Sequence, residues 1–200
     1  MPESDTRARI VAEATRQLTQ RGYAAFTVAA VRDALGLSSG SMFHAFASKP
    51  ALAAAVYVEG MADYQRTATT AIRRASGPER GLCAWIAAHL SWIEDHRDVA
   101  RYLFSTLPDE VTAEAADELS SYNAAFYAAL DRLFESAAEA GLMARLPRTL
   151  AQVICIGPAH AYGRQWTRGD ADTAPRKLSR TLQRAALAGL SATRTRKEPA

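Results

Sequence analysis

Cysteine is scarce in this chain of 200 residues, which contains only Cys83 and Cys155. The two cysteines lie far apart, each within a helical pattern, and the sequence has no CxxC motif and no Cys/His cluster with metal-ligand spacing. The sequence therefore predicts no metal site and no cofactor. Small, buried and reduced thiols are the structural interpretation of the two cysteines, and a redox switch is the alternative.

Long apolar segments are also missing, because no run approaches the roughly 18 residues that a membrane span requires. We therefore predict no membrane association. The N-terminal residues MPESDTRARI contain no apolar signal core, so we expect a cytoplasmic protein. Hydrophobic residues make up 48% of the chain and charged residues 22%, which is typical of a globular protein with a sizeable core.

Recognisable catalytic motifs are absent as well. The chain has no nucleotide-binding glycine loop and no recognisable nucleophile–base pair. We therefore predict that the protein is not an enzyme. The alternative is a helical-bundle enzyme in which His89 and His160, with a carboxylate such as Glu94, would do acid–base work.

Charge is unevenly distributed, although the net charge is only +3. Residues 1–50 carry six basic and four acidic groups, whereas residues 51–172 carry eleven basic and sixteen acidic groups. A mildly basic N-terminal part and an acidic middle suit a DNA-binding domain attached to a body that does not bind DNA.

The most informative stretch is residues 27–49, TVAAVRDALGLSSGSMFHAFASK. Thr27 is a good helix N-cap, and apolar residues follow it at helical spacing. Gly36 can adopt the left-handed conformation that ends a helix, and Ser38 offers a second N-cap for a helix through Phe46. Two short helices joined by a glycine-containing turn are typical of a helix-turn-helix unit, whose second helix enters the DNA major groove.

The segment GLSSGSMFHAFASKPAL, residues 36–52, resembles the TetR/AcrR family of bacterial transcriptional regulators. Members of that family usually read G-V-S-x-G-T-L-Y-x-H-F-x-S-K-x-x-L here, and the preceding helix is also in register. The resemblance implies an all-α fold of about nine helices. It divides the chain into an N-terminal three-helix DNA-binding domain, residues 1–48, and a helical ligand-binding and dimerisation bundle, residues 49–200. The matching residues are Gly36, Ser38, Gly40, Phe46, Ser48, Lys49 and Leu52.

Contacts with DNA are assigned by the same resemblance to the helix-turn-helix and to the start of the fourth helix. Gly40 permits a close approach to the groove, and Lys49 would face a phosphate. Met42 and Phe46 are predicted to be core residues. Arg32 replaces a small residue, and it either turns outward or contacts DNA. The predicted DNA-binding residues are Thr27, Ser38, Ser39, Gly40, Ser41, Phe43, His44 and Lys49.

Helical periodicity continues along the rest of the chain, and no alternation typical of strands appears. Gly157-Pro158 is expected to kink or locally break the eighth helix and so to open space beside it. The predicted helices cover residues 5–21, 28–35, 38–46, 48–75, 79–95, 99–107, 112–140, 147–166 and 175–190.

The helical body contains aromatic residues with polar tips together with histidines, which are common linings of small-molecule sites and also common core residues. The predicted pocket residues are Trp85, His89, Trp92, Tyr102, Tyr122, Phe126, His160 and Trp166. Small residues and leucines on the last two helices suit a four-helix bundle formed with a second copy, and the alternative is a monomer that buries them internally. The predicted interface residues are Leu150, Ile154, Leu178, Leu182, Ala185 and Gly189.

The sequence therefore predicts a ligand-responsive, DNA-binding transcriptional regulator. We expect a homodimeric repressor that a small-molecule effector releases from a palindromic double-stranded operator. The identity of the effector cannot be deduced from the sequence. A DNA-binding activator or architectural protein without a small-molecule ligand is the alternative.

Overall fold

Nine α-helices and one short 3-10 helix, without strands, make up residues 3–194, the part of the chain that this computed structural model describes. The all-α prediction is confirmed. Within this range no helix is both long enough and apolar enough to cross a membrane. The helices are α1 (Glu3–Ala25), α2 (Val28–Leu35), α3 (Ser39–Ala45), α4 (Lys49–Arg74), α5 (Pro78–Asp95), α6 (Arg97–Leu103), α7 (Asp109–Glu139), α8 (Arg148–Arg168) and α9 (Ser179–Ala192), with the 3-10 helix at Pro175–Leu178.

Most predicted helix boundaries hold to within a few residues, and the exceptions have local causes. Gly22, where we expected the first helix to end, has non-helical dihedral angles (φ 73°, ψ 166°), but helical residues resume after it up to Ala25. The sixth helix begins two residues earlier than predicted and ends at Leu103, where the Ser105 hydroxyl donates to the carbonyl oxygen of Tyr102.

Helix α8 continues from Arg148 to Arg168 through Pro158, so a break of the helix at Gly157-Pro158 is not observed. Packing on both sides supports this continuity, because α8 lies against α5 and α9. At Gly163, α8 lies so close to α5 that a Cβ atom on this glycine would be only 2.5 Å from Cδ1 of Ile93.

The described residues form two compact units. The first unit comprises residues 3–63 and 98–121, and the second comprises residues 64–97 and 122–194. Helices α4 and α7 therefore contribute one segment to each unit. The domain boundary after residue 48 stays a prediction.

The first unit has a core that joins the N-terminal helices to α6 and to the first segment of α7. Met42 and Phe46 are buried there, as predicted. The Tyr102 hydroxyl on α6 donates to the Ala53 carbonyl oxygen on α4 over 3.0 Å. The largest fully buried side chains of this unit are Ile10, Val11, Leu18, Phe26 and Leu52.

The core of the second unit lies among α5, α8, α9 and the adjoining segments of α4 and α7. Trp85, Leu90 and Leu130 are almost entirely buried in it. Cys155 is buried and Cys83 partly buried, and both are free thiols. Burial raises the pKa of both thiols, in Cys155 to about 12, so both are protonated at neutral pH.

Candidate DNA-binding surface and effector site

The turn between α2 and α3 is defined by three local interactions. The Thr27 hydroxyl accepts a hydrogen bond from the Ala30 N–H over 3.2 Å and caps α2. Gly36 then adopts a left-handed conformation (φ 63°), which ends α2. The Ser38 hydroxyl accepts from the Ser41 N–H over 3.1 Å and caps α3. The caps and the glycine thus produce the helix-turn-helix geometry expected from the sequence.

Helix α3 turns one apolar side inward and leaves the rest open to solvent. Met42 lies in the core, whereas Phe43 is 70% exposed, which is unusual for a phenylalanine. A Cβ atom on Gly40 would contact only the Ser38 hydroxyl, at 3.9 Å, so space lies in front of this residue. The predicted DNA-binding residues with exposed side chains or surfaces are Thr27, Ser38, Ser39, Gly40, Ser41, Phe43 and His44.

Arg32 follows the surface from α2 to the start of α3. Its Nε and Nη2 atoms donate to one carboxylate oxygen of Asp33, over 2.9 and 2.6 Å. Its Nη1 atom donates to the Ser39 hydroxyl over 3.0 Å. The side chain therefore lies along the surface and connects the two helices of the unit. A contact of Arg32 with DNA stays a prediction.

Arg7 on α1 holds the other end of α3. Its Nη1 atom lies 3.3 Å from the Ala45 carbonyl oxygen, and its guanidinium lies 4.3 Å from the centre of the Phe46 ring. Because 38 residues separate Arg7 from Ala45, helical spacing gives no signal for this contact. Sequence reasoning did not identify it.

Lys49, the first residue of α4, already has protein partners. Its ammonium nitrogen lies 4.3 Å from the centre of the Tyr23 ring and 3.5 Å from the Ala24 carbonyl oxygen. Ser48 caps this helix, since its hydroxyl accepts from the Ala51 N–H over 3.1 Å. A phosphate at this helix start would be met by a lysine whose position is fixed by Tyr23 and Ala24 of α1.

In the second unit, Tyr64 on α4 is the centre of an aromatic cluster. Its hydroxyl accepts from Nε1 of Trp85 over 3.2 Å and lies 3.0 Å from Nδ1 of His89. Its ring meets the Trp92 and Phe126 rings edge to face, with centroids 5.5 and 6.2 Å apart. These five residues are called the Tyr64 cluster below. Four of them were predicted pocket residues, and Tyr64 was not.

His160 on α8 adjoins the cluster, because its ring centroid lies 5.6 Å from that of His89. Burial, and then the neighbouring His160, lower the pKa of His89 to about 3. Burial, and then Arg164, lower the pKa of His160 as well. Burial raises the pKa of the Tyr64 hydroxyl. At pH 7 these three titratable side chains are therefore neutral.

Gln65, beside Tyr64 on α4, is a buried amide that sequence reasoning did not single out. It is 4% exposed, and its Nε2 atom donates to the Asn123 Oδ1 atom over 2.7 Å. Its Oε1 atom has no hydrogen-bond partner. A buried amide oxygen without a partner is costly, which makes it a candidate acceptor for a bound molecule. Gln65 lies three residues from both Ala62 and Ala68, and this helical spacing to apolar residues was the available signal.

The three other predicted pocket residues have different surroundings. Tyr102 belongs to the first unit, where it donates to Ala53. Tyr122 is 41% exposed. Trp166 lies under the Arg97 guanidinium, 4.5 Å from it, and its carbonyl oxygen accepts from the same side chain. Their assignment to a pocket stays a prediction.

The predicted interface residues on α8, the 3-10 helix and α9 divide into three groups. Ile154 and Gly189 face each other within the chain, where a Cβ atom on the glycine would lie 3.1 Å from the isoleucine Cγ2 atom. Leu178 and Leu182 are partly buried. Leu150 and Ala185 are exposed, as is the neighbouring Val153 at 65%.

Residues 10–56 match the sequence profile of the bacterial regulatory proteins of the tetR family. This range begins in α1, contains the entire helix-turn-helix and ends in α4. This part of the chain is therefore similar to the tetR family of bacterial regulatory proteins. A search by sequence among curated proteins finds no significant match.

Solved structures of TetR-family and other transcriptional regulators share the fold over nearly the whole chain. A tetR-family regulatory protein from Rhodococcus RHA1 is 21% identical, with a TM-score of 0.70 over 92% of this chain and 96% of that chain. The regulator FadR from Bacillus subtilis, in complex with stearoyl-CoA, is 16% identical, with a TM-score of 0.74 over 91% and 98%. AibR, in complex with isovaleryl coenzyme A and operator DNA, is 14% identical, with a TM-score of 0.67 over 88% and 95%.

Proposed function

We propose that this protein is a homodimeric transcriptional repressor of the TetR family that binds a palindromic operator and is released from it by a small molecule. The observation that carries the proposal is α3. It is capped by Ser38, rests on a buried Met42, and presents Gly40, Ser39 and Phe43 outward. That arrangement suits a recognition helix in a major groove. Because bacterial DNA lies in the cytoplasm, we propose the same location for the protein.

The effector site is proposed at the Tyr64 cluster. Similar proteins have been solved with acyl-CoA compounds, one of them together with operator DNA. In this chain the cluster combines aromatic rings with the polar atoms of Tyr64, His89 and Gln65, a combination common in small-molecule sites. The unpartnered Gln65 oxygen is the group that we expect an effector to satisfy.

Dimerisation is proposed through α8 and α9. Leu150, Val153 and Ala185 are exposed there, and exposed apolar side chains gathered on one helix pair favour a partner surface. A two-fold axis between two copies would place two α3 helices on two half-sites of a palindrome.

An in vitro selection with the full chain tests this function. The protein is incubated with random duplex DNA at fixed salt, bound DNA is recovered over several rounds, and the enriched sites are titrated. We expect a palindrome with half-sites about one helical turn apart, bound as a dimer in analytical ultracentrifugation. Enrichment of no sequence, with binding equal to that of unselected DNA, would contradict the proposal.

The effector half of the proposal has its own test. Stearoyl-CoA and isovaleryl-CoA are suitable first probes, and a specific ligand raises the melting temperature by mass action. By linkage, a probe that lowers the affinity of the protein for its operator must bind the operator-bound protein more weakly than the free protein. A regulator that selects a palindrome, but that no member of a wider small-molecule panel stabilises, would favour the ligand-free activator or architectural protein.

A further inference from the structure

We infer that Arg32 is a positioning residue that turns the Ser39 hydroxyl into a hydrogen-bond donor for an acceptor atom on a base edge of the operator. This inference rests on the proposed DNA-binding function and adds the residue pair that would determine one position of the recognised sequence.

The position of the Arg32 guanidinium is fixed by Asp33. Two of its nitrogen atoms, Nε and Nη2, donate to the same carboxylate oxygen, which orients the planar fork. The third nitrogen, Nη1, then points across the turn to Ser39, over 3.0 Å. The arginine is partly buried and not a freely rotating surface side chain.

The Ser39 hydroxyl has a defined polarity in this arrangement. Its oxygen accepts from a cation, so its hydrogen remains to be donated elsewhere. A guanidinium 3.0 Å away polarises the O–H group and disfavours the approach of a second donor. Ser39 therefore presents a donor and is poorly suited to pair with the amino groups of cytosine or adenine.

The neighbouring hydroxyls are engaged with one another. Ser38 accepts from the Ser41 N–H over 3.1 Å, and the two hydroxyl oxygens lie 2.9 Å apart. Ser39 is the first residue of α3, and the N-terminal residues of a recognition helix are those that contact base edges. In the major groove guanine offers two acceptors, N7 and O6, adenine and thymine offer one each, N7 and O4, and cytosine offers only a donor. We therefore expect Ser39 to disfavour cytosine and to favour guanine, which has the most acceptors, at the base that it contacts.

The experiment repeats the random-duplex selection with variants of the full chain. Ser39→Ala removes the donor, Arg32→Met keeps the apolar stem without the fork, and Ser39→Thr keeps a hydroxyl. Arg132→Met removes an exposed arginine of the second unit and serves as the matched charge control. Circular dichroism melting establishes that each variant is folded. If Arg32→Met does not fold, it is replaced by Arg32→Lys, which keeps the charge but lacks the planar fork.

Each protein is then titrated on the wild-type site and on a set with every single base-pair change. For wild type we expect a preference of about tenfold for guanine over cytosine at one position of each half-site. Ser39→Ala and Arg32→Met should both abolish that preference at the same position, and the double variant should lose no more than either. Ser39→Thr and Arg132→Met should retain it.

Two outcomes would overturn the inference while leaving the DNA-binding function intact. In one, Arg32→Met weakens binding equally at all sequences and lowers the salt dependence by about one phosphate contact. In the other, the wild type selects a site, and Ser39→Ala and Arg32→Met prefer the same bases as wild type at every position. If wild type selects no sequence, the inference and the proposed function fall together.

Discussion

Arg7 donates a hydrogen bond to the carbonyl oxygen of Ala45 over 3.3 Å, linking the first helix to the last residue of α3. The terminal carbonyl groups of a helix have no partner within the helix, and a cation near them is favourable. The Arg7 guanidinium also covers the Phe46 ring. With only seven residues, α3 depends on such contacts more than a long helix does.

Arg7→Ala should therefore weaken both the first unit and its binding to DNA. Loss of an exposed cation–π contact and a hydrogen bond costs about 1 kcal/mol, which urea unfolding can measure. Operator affinity should fall further, because the end of α3 is no longer held against α1. Arg9→Ala removes the same charge from the same helix, and we expect its unfolding midpoint to match wild type. Equal destabilisation by both variants would show that only net charge matters.

Gly40→Ala should separate stability from DNA binding. Replacing glycine by alanine where the backbone conformation suits alanine stabilises a protein by about 0.4–1 kcal/mol. Gly40 has no positive φ, and a Cβ atom here meets only the Ser38 hydroxyl, at 3.9 Å. We expect a higher melting temperature together with weaker operator binding, since the added methyl group would hold α3 away from the groove.

Gly157→Ala in α8 is the matched control for Gly40→Ala. Its Cβ atom would also have only one neighbour, a Val153 methyl group at 3.9 Å, and it should raise stability without changing DNA affinity. If Gly40→Ala binds selected DNA as tightly as wild type, α3 does not approach the groove at this residue.

The helix-turn-helix could be predicted closely because its determinants are local. Thr27, Ser38 and Ser48 cap the helices that follow them, and Gly36 adopts the left-handed conformation that the sequence required. Helix α6 was placed too late, since seven residues carry too little periodicity to define a start.

The candidate sites depend on pairs that sequence spacing does not encode. Tyr64 and His89 are 25 residues apart, and Gln65 and Asn123 are 58 apart. Helical periodicity identified the aromatic residues of α5 as inward-facing, but it gave no means of choosing their partners on α4 and α7. The same holds for Arg32, whose direction depends on which oxygen atoms the turn brings within reach.

Asn123→Leu tests the buried amide pair. This change leaves both polar ends of Gln65 buried without a partner, and it should lower the free energy of unfolding by about 1–3 kcal/mol. The double variant Gln65→Leu/Asn123→Leu removes both amides and should recover most of that loss, since no buried polar atom is then left unpaired. The measurement is a double-mutant cycle in urea. Additive losses in the double variant would mean that the two side chains do not interact.

The neutral state of His89 predicts a loss of stability in mild acid. Its pKa is about 3 in the folded protein, against an ordinary value of 6.5, so between these values only the unfolded chain binds the proton. Stability due to this group is therefore complete above pH 6.5 and falls as the pH decreases, by up to about 1.4 kcal/mol per pH unit. His160, whose pKa is also lowered, adds to the fall with the same sign.

The measurement is the free energy of unfolding in urea between pH 5 and 6.5, a window above the ordinary pKa values of Asp and Glu. Burial raises the pKa of Glu59, so that carboxyl is the one to compare with the histidines. His89→Gln keeps a polar group near Tyr64 and should reduce the slope, and His89→Gln/His160→Gln should reduce it further.

Glu13→Gln is the control. The pKa of that carboxyl is lowered chiefly by its hydrogen bond with Arg16, so its contribution is lost only below pH 4.5. A wild-type slope that persists in the double variant would place the acid sensitivity outside the Tyr64 cluster and His160. If the slope disappears in the double variant, the acid sensitivity comes from His89 and His160. A positive charge in this site, whether from protonation or from an effector, then destabilises the fold unless new contacts compensate for it.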